Sequence, residues 1–467
     1  MRGYNKWSYA PYSPIFFGTG DIYISRVAPA KNSIHIEWLS ANAPEYTVYC
    51  KARGDEAFTE IGKSAICEYD ISGLTENVDY EFYVESGDKR SRTRLAYTAE
   101  PLGIVVNYLH PDDDAYSFSG KYLCSPSMIR HPDGYLLASM DLYAHAAPQN
   151  LTLIFRSDDN GKSWHNVCEL MPCFWGRLFV HKNDIYMLAC STEYGDLLIG
   201  RSTDGGKSFS APVSLLRGSG GKNGGVGVHK NPENVLHKNG RIYITLEWGS
   251  WGAGYHAPMV MSADEKSDLL NPESWFFSEP LKYDPSWEGV ATGESSGNIE
   301  GTLAVSPDGK LYNIMRYDMT KTKERYGLAL SYLVNESDPE APLTFSHAIK
   351  FPANHSKFMI KKDGESGIYY SLASRITNPE IINDRRLLSL MSSPDLINWS
   401  LVKDIYDLRE IADAKDVGIQ YVDFEIEGDD IIFLSRTAIN KPHSFHDSNY
   451  ITFHTIKDFR KISPQKA

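Results

Sequence analysis

A ten-residue stretch, Phe155-Arg156-Ser157-Asp158-Asp159-Asn160-Gly161-Lys162-Ser163-Trp164, recurs as Gly200-Arg201-Ser202-Thr203-Asp204-Gly205-Gly206-Lys207-Ser208-Phe209. Each copy closes an apolar run with Ser-x-Asp-x-Gly-x-Ser-aromatic and opens another. In such a turn Ser and Asp bond their own backbone, Gly supplies a positive φ, and the aromatic anchors the returning strand. The pattern encodes a tight β-hairpin, and two copies in register make it an internal repeat. A third copy, Ser392-Ser393-Pro394-Asp395-Leu396-Ile397-Asn398-Trp399, lacks the glycine.

A second turn recurs from about residue 101 onward. It reads His131-Pro132-Asp133-Gly134, His181-Lys182-Asn183-Asp184, His237-Lys238-Asn239-Gly240, Ser306-Pro307-Asp308-Gly309, Lys361-Lys362-Asp363-Gly364 and Glu427-Gly428-Asp429-Asp430. Each follows an apolar strand and precedes a stronger one. These turns give six A–B hairpins, with the Ser-x-Asp repeats as C–D turns of the first, second and fifth units. Small sheets repeated at this spacing predict an all-β, six-bladed β-propeller over 101–467. A seventh blade has room in 103–125, unless Val105-Val106-Asn107-Tyr108 closes the ring with the C-terminal strands.

Ahead of it, residues 22–100 alternate with period two between turn signals, as in Ile34-His35-Ile36-Glu37-Trp38 and Tyr80-Glu81-Phe82-Tyr83-Val84. This predicts a small β-sandwich, preceded by an N-terminal extension, 1–21. The Trp38 strand, the Ser72-Gly73-Leu74-Thr75 turn and the Tyr-x-Phe-x-Val strand resemble a fibronectin type III module.

Composition narrows the partners. A net charge of −13 argues against nucleic acid, and no apolar run is long enough to span a membrane. The first 21 residues show no apolar leader core, which predicts a cytoplasmic protein, or a secreted one whose leader has been removed. Six cysteines without CxxC spacing read as free thiols packed as small hydrophobes. No metal pattern accompanies His446-x3-Tyr450, and the run Gly220–Lys230 lacks a phosphate loop's ending, so neither metal nor cofactor is expected.

In an up-and-down blade the A–B and C–D turns share one face and the B–C and D–A loops the other. The repeats therefore leave the opposite face for chemistry. There the B strands end at Asp141, Glu193, Glu247, Arg316, Arg375 and Arg436 in order. One charge at a strand end is ordinarily solvated, but three converging arginines are costly unless an anion sits among them. Carboxylates opposite them suit glycosidic cleavage, with Asp141 as acid/base and Glu193, with Tyr194, or Glu247 as nucleophile or its activator. Trp175, Trp248, Trp251 and His256 supply aromatic surfaces to the loops, and His229 and His446 supply bases.

Residues 120–455 resemble the sialidase-like BNR, or Asp-box, β-propellers. The likeness rests on the repeats and on Ser125-Pro126-Ser127, His229-Lys230-x-Pro232, Asn298-Ile299-Glu300-Gly301, Gln420-Tyr421-Val422-Asp423 and His446-Asp447-x-Asn449-Tyr450. It implies substrate-binding roles for Lys230, Glu300, Tyr421, Asp423, Asn449 and Tyr450. Where sialidases carry Arg-Ile-Pro this chain reads Cys124-Ser125-Pro126, so that carboxylate-binding arginine is missing. The expected function is a glycoside hydrolase releasing a terminal sugar from an acidic, uronate- or ulosonate-containing oligosaccharide or polysaccharide. The alternatives are a polysaccharide lyase using Tyr or His as base, and a non-catalytic carbohydrate-binding propeller.

Overall fold

A computed structural model describes residues 5–8, 22–40, 43–221, 224–353 and 355–462. Most of the 1–21 extension, with Lys222 and Asn223 of the glycine-rich run, lies outside the described residues.

Six antiparallel meander sheets follow one another along the chain. The first joins Tyr122–Arg130, Leu136–Tyr143, Thr152–Ser157 and His165–Leu170. The second joins Phe174–His181, Asp184–Cys190, Leu197–Ser202 and Val213–Leu216. In the third, two short strands, Gly227–His229 and Leu236–Lys238, share one partner, Arg241–Ser250, which continues to Tyr255–Asp264 and Trp275–Phe277. The fourth holds Asn298–Val305, Leu311–Tyr317, Leu328–Leu333 and Thr344–Lys350. The fifth holds Met359–Lys362, Tyr369–Ser374, Leu387–Ser393 and Ser400–Asp407. Gly418–Glu427, Asp430–Ala438 and Tyr450–Ile456 begin the sixth. Its outermost strand is Ile104–Tyr108, from the other end of the ring. Residues 103–125 therefore supply the closing strand.

A propeller is held together between sheets, and the apolar clusters fall there. Leu153, Phe155, Leu434 and Phe453 fill the space between the first and sixth sheets. Leu137, Ile154, Leu178 and Met187 fill that between first and second, and equivalent clusters occupy the remaining four junctions. Burying each such side chain contributes about 1.5–3 kcal/mol. The innermost strand of the first sheet packs on those of the second and sixth, which closes the ring. Trp7 enters the junction of the first two sheets, its indole nitrogen donating to Pro172 O at 2.9 Å.

All three Ser-x-Asp turns are C–D turns, in the first, second and fifth sheets. In the first, Asp159 accepts from Ser163 N and Ser157 Oγ, and Ser157 Oγ accepts from Gly161 N. Asp204, Ser202, Ser208 and Gly206 repeat these bonds atom for atom. The third turn is one residue shorter. Leu396 takes the left-handed conformation (φ 71°) and Asn398 stands in for the second serine. Trp399 Nε1 still donates to Leu396 O, as Trp164 Nε1 does to Gly161 O.

Residues 22–97 form two sheets. One is Ile22–Pro29, Ser33–Ser40 and Glu68–Ser72; the other is built on Tyr46–Ala52 and Asp79–Ser86. Tyr80 Oη accepts from Thr75 N at 3.0 Å and pins the turn between them. Their core includes Ile34, Trp38 and Phe82, and it continues into Val105, Tyr108, Ile439 and Tyr450 of the sixth sheet. Five cysteines are buried; Cys67 is exposed, because it lies beyond the edge strand Thr59–Ser64 and not in a packed run.

Candidate active site at the ring mouth

A cavity of ≈ 270 Å³ opens on the face away from the repeated turns, and all six sheets line it. Four of the six innermost strands share one device beneath it. Their pairing with the second strand slips at Cys124/Ser127, Phe174/Arg177, Ile299/Thr302 and Gln420/Asp423. At each slip a non-glycine residue takes a positive φ: Ser125 (50°), Trp175 (53°), Glu300 (58°) and Tyr421 (55°). A bulge re-aims a side chain, and all four of these line the cavity. The residue after Glu300 must be glycine, because a Cβ at Gly301 would stand 2.3 Å from Met315 Sδ and 2.4 Å from Asn313 Oδ1.

The bulges bring two distant residues together. Tyr421 Oη donates to Glu300 Oε1 at 2.8 Å, and Arg316 Nη1 donates to Glu300 Oε2 at 2.6 Å and to Tyr421 Oη at 3.2 Å. Burial pushes the Glu300 carboxyl up, but Arg316 and the bonds from Arg316 and Tyr421 outweigh it and hold it at about 2. The Tyr421 phenol is raised by burial and by the Glu300 charge, so it carries its proton.

Arginines gather over this pair. Arg436 donates to His446 O and lies 5.3 Å from the Tyr421 ring centre and 5.7 Å from that of Tyr143. Arg385, on the loop between the second and third strands of the fifth sheet, is buried with Nε and Nη1 lacking a hydrogen-bond partner among the described residues. Burial, then Arg316 nearby, lowers its guanidinium to about 9. Three guanidinium groups in one cavity, two of them (Arg385 and Arg436) with unused donors among the described residues, form a receptor for an anion.

Glu193 lines the cavity and is raised by burial. His229 lines it as well, its Nδ1 2.6 Å from Glu247 Oε2; the acceptor-only carboxylate fixes that nitrogen as N–H. His446 lines it, lowered to about 4 by Arg436 and burial.

The remaining expected site residues lie elsewhere. Asp141 is fully buried below the cavity, accepting Thr152 Oγ1 at 2.5 Å and Trp175 N at 2.7 Å; burial lifts it to about 7. It supports the Trp175 bulge and has no path to a substrate. Glu247 likewise sits behind His229 and accepts from Gly301 N. Lys230 is buried, donating to Trp175 O and Leu188 O, and burial lowers it to about 8. Arg375 is held by Asp404 at 2.8 Å and does not line the cavity; Arg385 occupies the place expected for it. Tyr194 and His256 bond each other (3.1 Å) below the surface. Trp248 packs against the apolar cluster of the second and third sheets, and Trp251 is the loop tryptophan that reaches the cavity. Asp423 accepts Met128 N and Arg177 inside the ring. Asn449 ties Ile439 to its loop, and Tyr450 packs on Tyr108. Glu233, buried with both oxygens unpartnered among the described residues, was not marked by any sequence signal.

No family model matches the chain, and no curated protein matches it. Solved structures do. The Hadza microbial sialidase Hz136 aligns with TM-score 0.50 at 12% identity, covering 94% of this chain and 94% of that one. The α-L-arabinofuranosidase Arb93A from Fusarium graminearum, complexed with an iminosugar inhibitor, aligns at 0.50 and 13% identity over 77% of this chain and 98% of its own. A Dyadobacter fermentans protein of unknown function aligns at 0.50 and 14%, over 76% and 97%. At these identities the likeness is one of fold, and the fold shared is the all-β propeller.

Proposed function

We propose that the chain is a glycoside hydrolase that releases a terminal acidic sugar, with Tyr421 as nucleophile. The observation that carries this is the Tyr421–Glu300 hydrogen bond lying among three arginines. A tyrosine nucleophile departs from the usual two-carboxylate scheme but suits an anionic sugar, against which a carboxylate nucleophile would be repelled; sialidases use one. Tyr421 Oη attacks the anomeric carbon and passes its proton to Glu300 Oε1, while Glu193, whose carboxyl burial shifts upward toward the range of a general acid, protonates the departing glycosidic oxygen. Water then attacks the tyrosyl glycoside; Glu193 takes its proton and Glu300 returns one to Tyr421. Arg385, with Arg316 and Arg436, holds the sugar carboxylate. That two neighbours of this fold are a sialidase and an arabinofuranosidase supports the reaction class.

The test is a screen of aryl uronides and ulosonides, followed by product NMR. Retention of configuration, lost with Tyr421→Phe, is the expected result; inversion would rule out the covalent step. A lyase reading draws on the His229–Glu247 pair at the cavity wall. An unsaturated, ultraviolet-absorbing product would select it.

A further inference from the structure

The cavity that takes the acidic sugar has an aromatic rim that this reaction leaves unused. Trp251 sits on the loop between the second and third strands of the third sheet, and Phe445 on the same loop of the sixth. Both line the cavity. Three sheets apart in a ring of six, they stand on opposite sides of the mouth. Trp251 is 52% exposed, the most exposed tryptophan among the large apolar side chains that reach solvent. It is nonetheless held in place. Its backbone N–H donates to Tyr194 Oη at 3.4 Å, and its ring meets that of His256 edge-on at 4.6 Å and 71°. Phe445 is fixed through its backbone, its carbonyl accepting from Gln420 Nε2 at 2.6 Å and its N–H donating to Lys415 O at 3.0 Å.

The indole, though it meets His256 on one side, is half open to solvent and lines the same cavity as the acid Glu193. Tyr194, which fixes Trp251, directly follows Glu193 in the chain. A group that leaves with the proton of Glu193 departs into the cavity that Trp251 also lines. We infer that Trp251 and Phe445 form the site for the leaving group, and that this group is a neutral pyranose ring stacked on Trp251 and capped by Phe445. The inference rests on the hydrolase reading and adds the acceptor side of the substrate to it: an acidic sugar joined to a further sugar. Stacking suits the apolar face of a pyranose and asks for no charge, in keeping with the confinement of the arginines to the cavity interior.

The experiment has two arms. Saturation-transfer NMR with lactose, a neutral disaccharide, reads the platform without any turnover. Transfer is expected with the unmodified protein and with Tyr421→Phe, is lost in Trp251→Ala, and is partly kept in Trp251→Tyr. In the kinetic arm, Trp251→Ala lowers kcat/KM about ten-fold for a glycoside with a sugar leaving group and much less for the methyl glycoside; Phe445→Ala acts in the same sense. Lactose transfer unchanged in Trp251→Ala, or equal losses for the two glycosides, would overturn the assignment. If no glycoside turns over, the hydrolase reading has failed, and the lactose arm still decides the platform.

Discussion

Tyr421 and Glu300 lie 121 positions apart in the chain and 2.8 Å apart at the cavity wall. Each stands at the positive-φ position of a bulge in the innermost strand of its sheet, one in the sixth and one in the fourth. Backbone strain of this kind costs on the order of 1–3 kcal/mol per residue and is kept where it serves a site.

Replacing Tyr421 with Phe removes the phenol and leaves the bulge. Turnover is expected to fall about 10³-fold or more, with a melting temperature changed by no more than a few degrees. Steady-state kinetics beside a thermal melt checks it; full activity in Tyr421→Phe would return the residue to a structural role.

Arg385 and Arg375 separate binding from stability. Arg385→Met removes a buried, incompletely paired charge, so stability should hold or rise while affinity for a free uronate or sialate drops by roughly 2–4 kcal/mol. Arg375→Ala breaks the Asp404 pair and should cost stability, about 1 kcal/mol, without touching affinity. Calorimetric titration with the acid and its methyl ester, on both variants, distinguishes them; equal binding of acid and ester by the unmodified protein would count against the arginine receptor.

The pH dependence of stability carries the mark of Asp141. Its folded-state carboxyl sits at about 7, above the usual carboxylate value, so the folded state holds a proton that the unfolded chain releases. Such a group favours folding fully below about pH 4 and loses that contribution as pH rises toward 7, on the order of 2–4 kcal/mol in all. Denaturant melts from pH 4 to 8 should show this limb, and Asp141→Asn should flatten it. A variant with the same pH slope would mean that other groups, such as Glu233, carry it.

Asp159, not its neighbour Asp158, holds the first repeated turn. Asp158 only pairs with Arg156 at the surface, whereas Asp159 accepts from two serines and the backbone. Asp159→Ala should cost about 1–3 kcal/mol and Asp158→Ala less than about 0.5 kcal/mol, neither altering kinetics on the far face. Loss of activity in a stable Asp159 variant would place the chemistry on the wrong side.

Removing residues 1–100 leaves the ring its closing strand but bares Val105, Tyr108, Ile439 and Tyr450. The shortened chain should stay folded with a lowered melting point, while a start at 115, which also removes Ile104–Tyr108, should aggregate. A soluble, cooperatively melting protein from 115 would show that the sixth sheet holds with three strands.

What was legible in the sequence tracks what short-range chemistry encodes. The turns at Asp133-Gly134 and Asp308-Gly309 and the Ser-x-Asp repeats announce themselves because few residues satisfy such turns. The orientation of the faces followed from connectivity alone. Strand ends as the guide point to Arg375 and pass over Arg385, which projects from the loop beyond. Asp141 and Glu247 ended strands as expected, but burial turned them to orienting Trp175 and His229. The bulges were not legible, since nothing in Ser125, Trp175 or Tyr421 announces a left-handed backbone; Glu300-Gly301 and Trp175-Gly176 carry the one hint, a glycine where the backbone must pass close to a neighbour.

The closing strand also sets an order of events during synthesis. Ile104–Tyr108 emerges from the ribosome long before Tyr450–Ile456, its partner, and nearby Asn440 finds Glu100 O across 340 positions. Until the last sheet is made, the strand's edge and the Val106 side chain lack their sixth-sheet neighbours, so the ring cannot close before Tyr450–Ile456 has been synthesised. Such long-range pairing slows folding and exposes an edge to association. The sandwich is made first and packs on Val105 and Tyr108, so it is placed to act as an intramolecular chaperone for the seam.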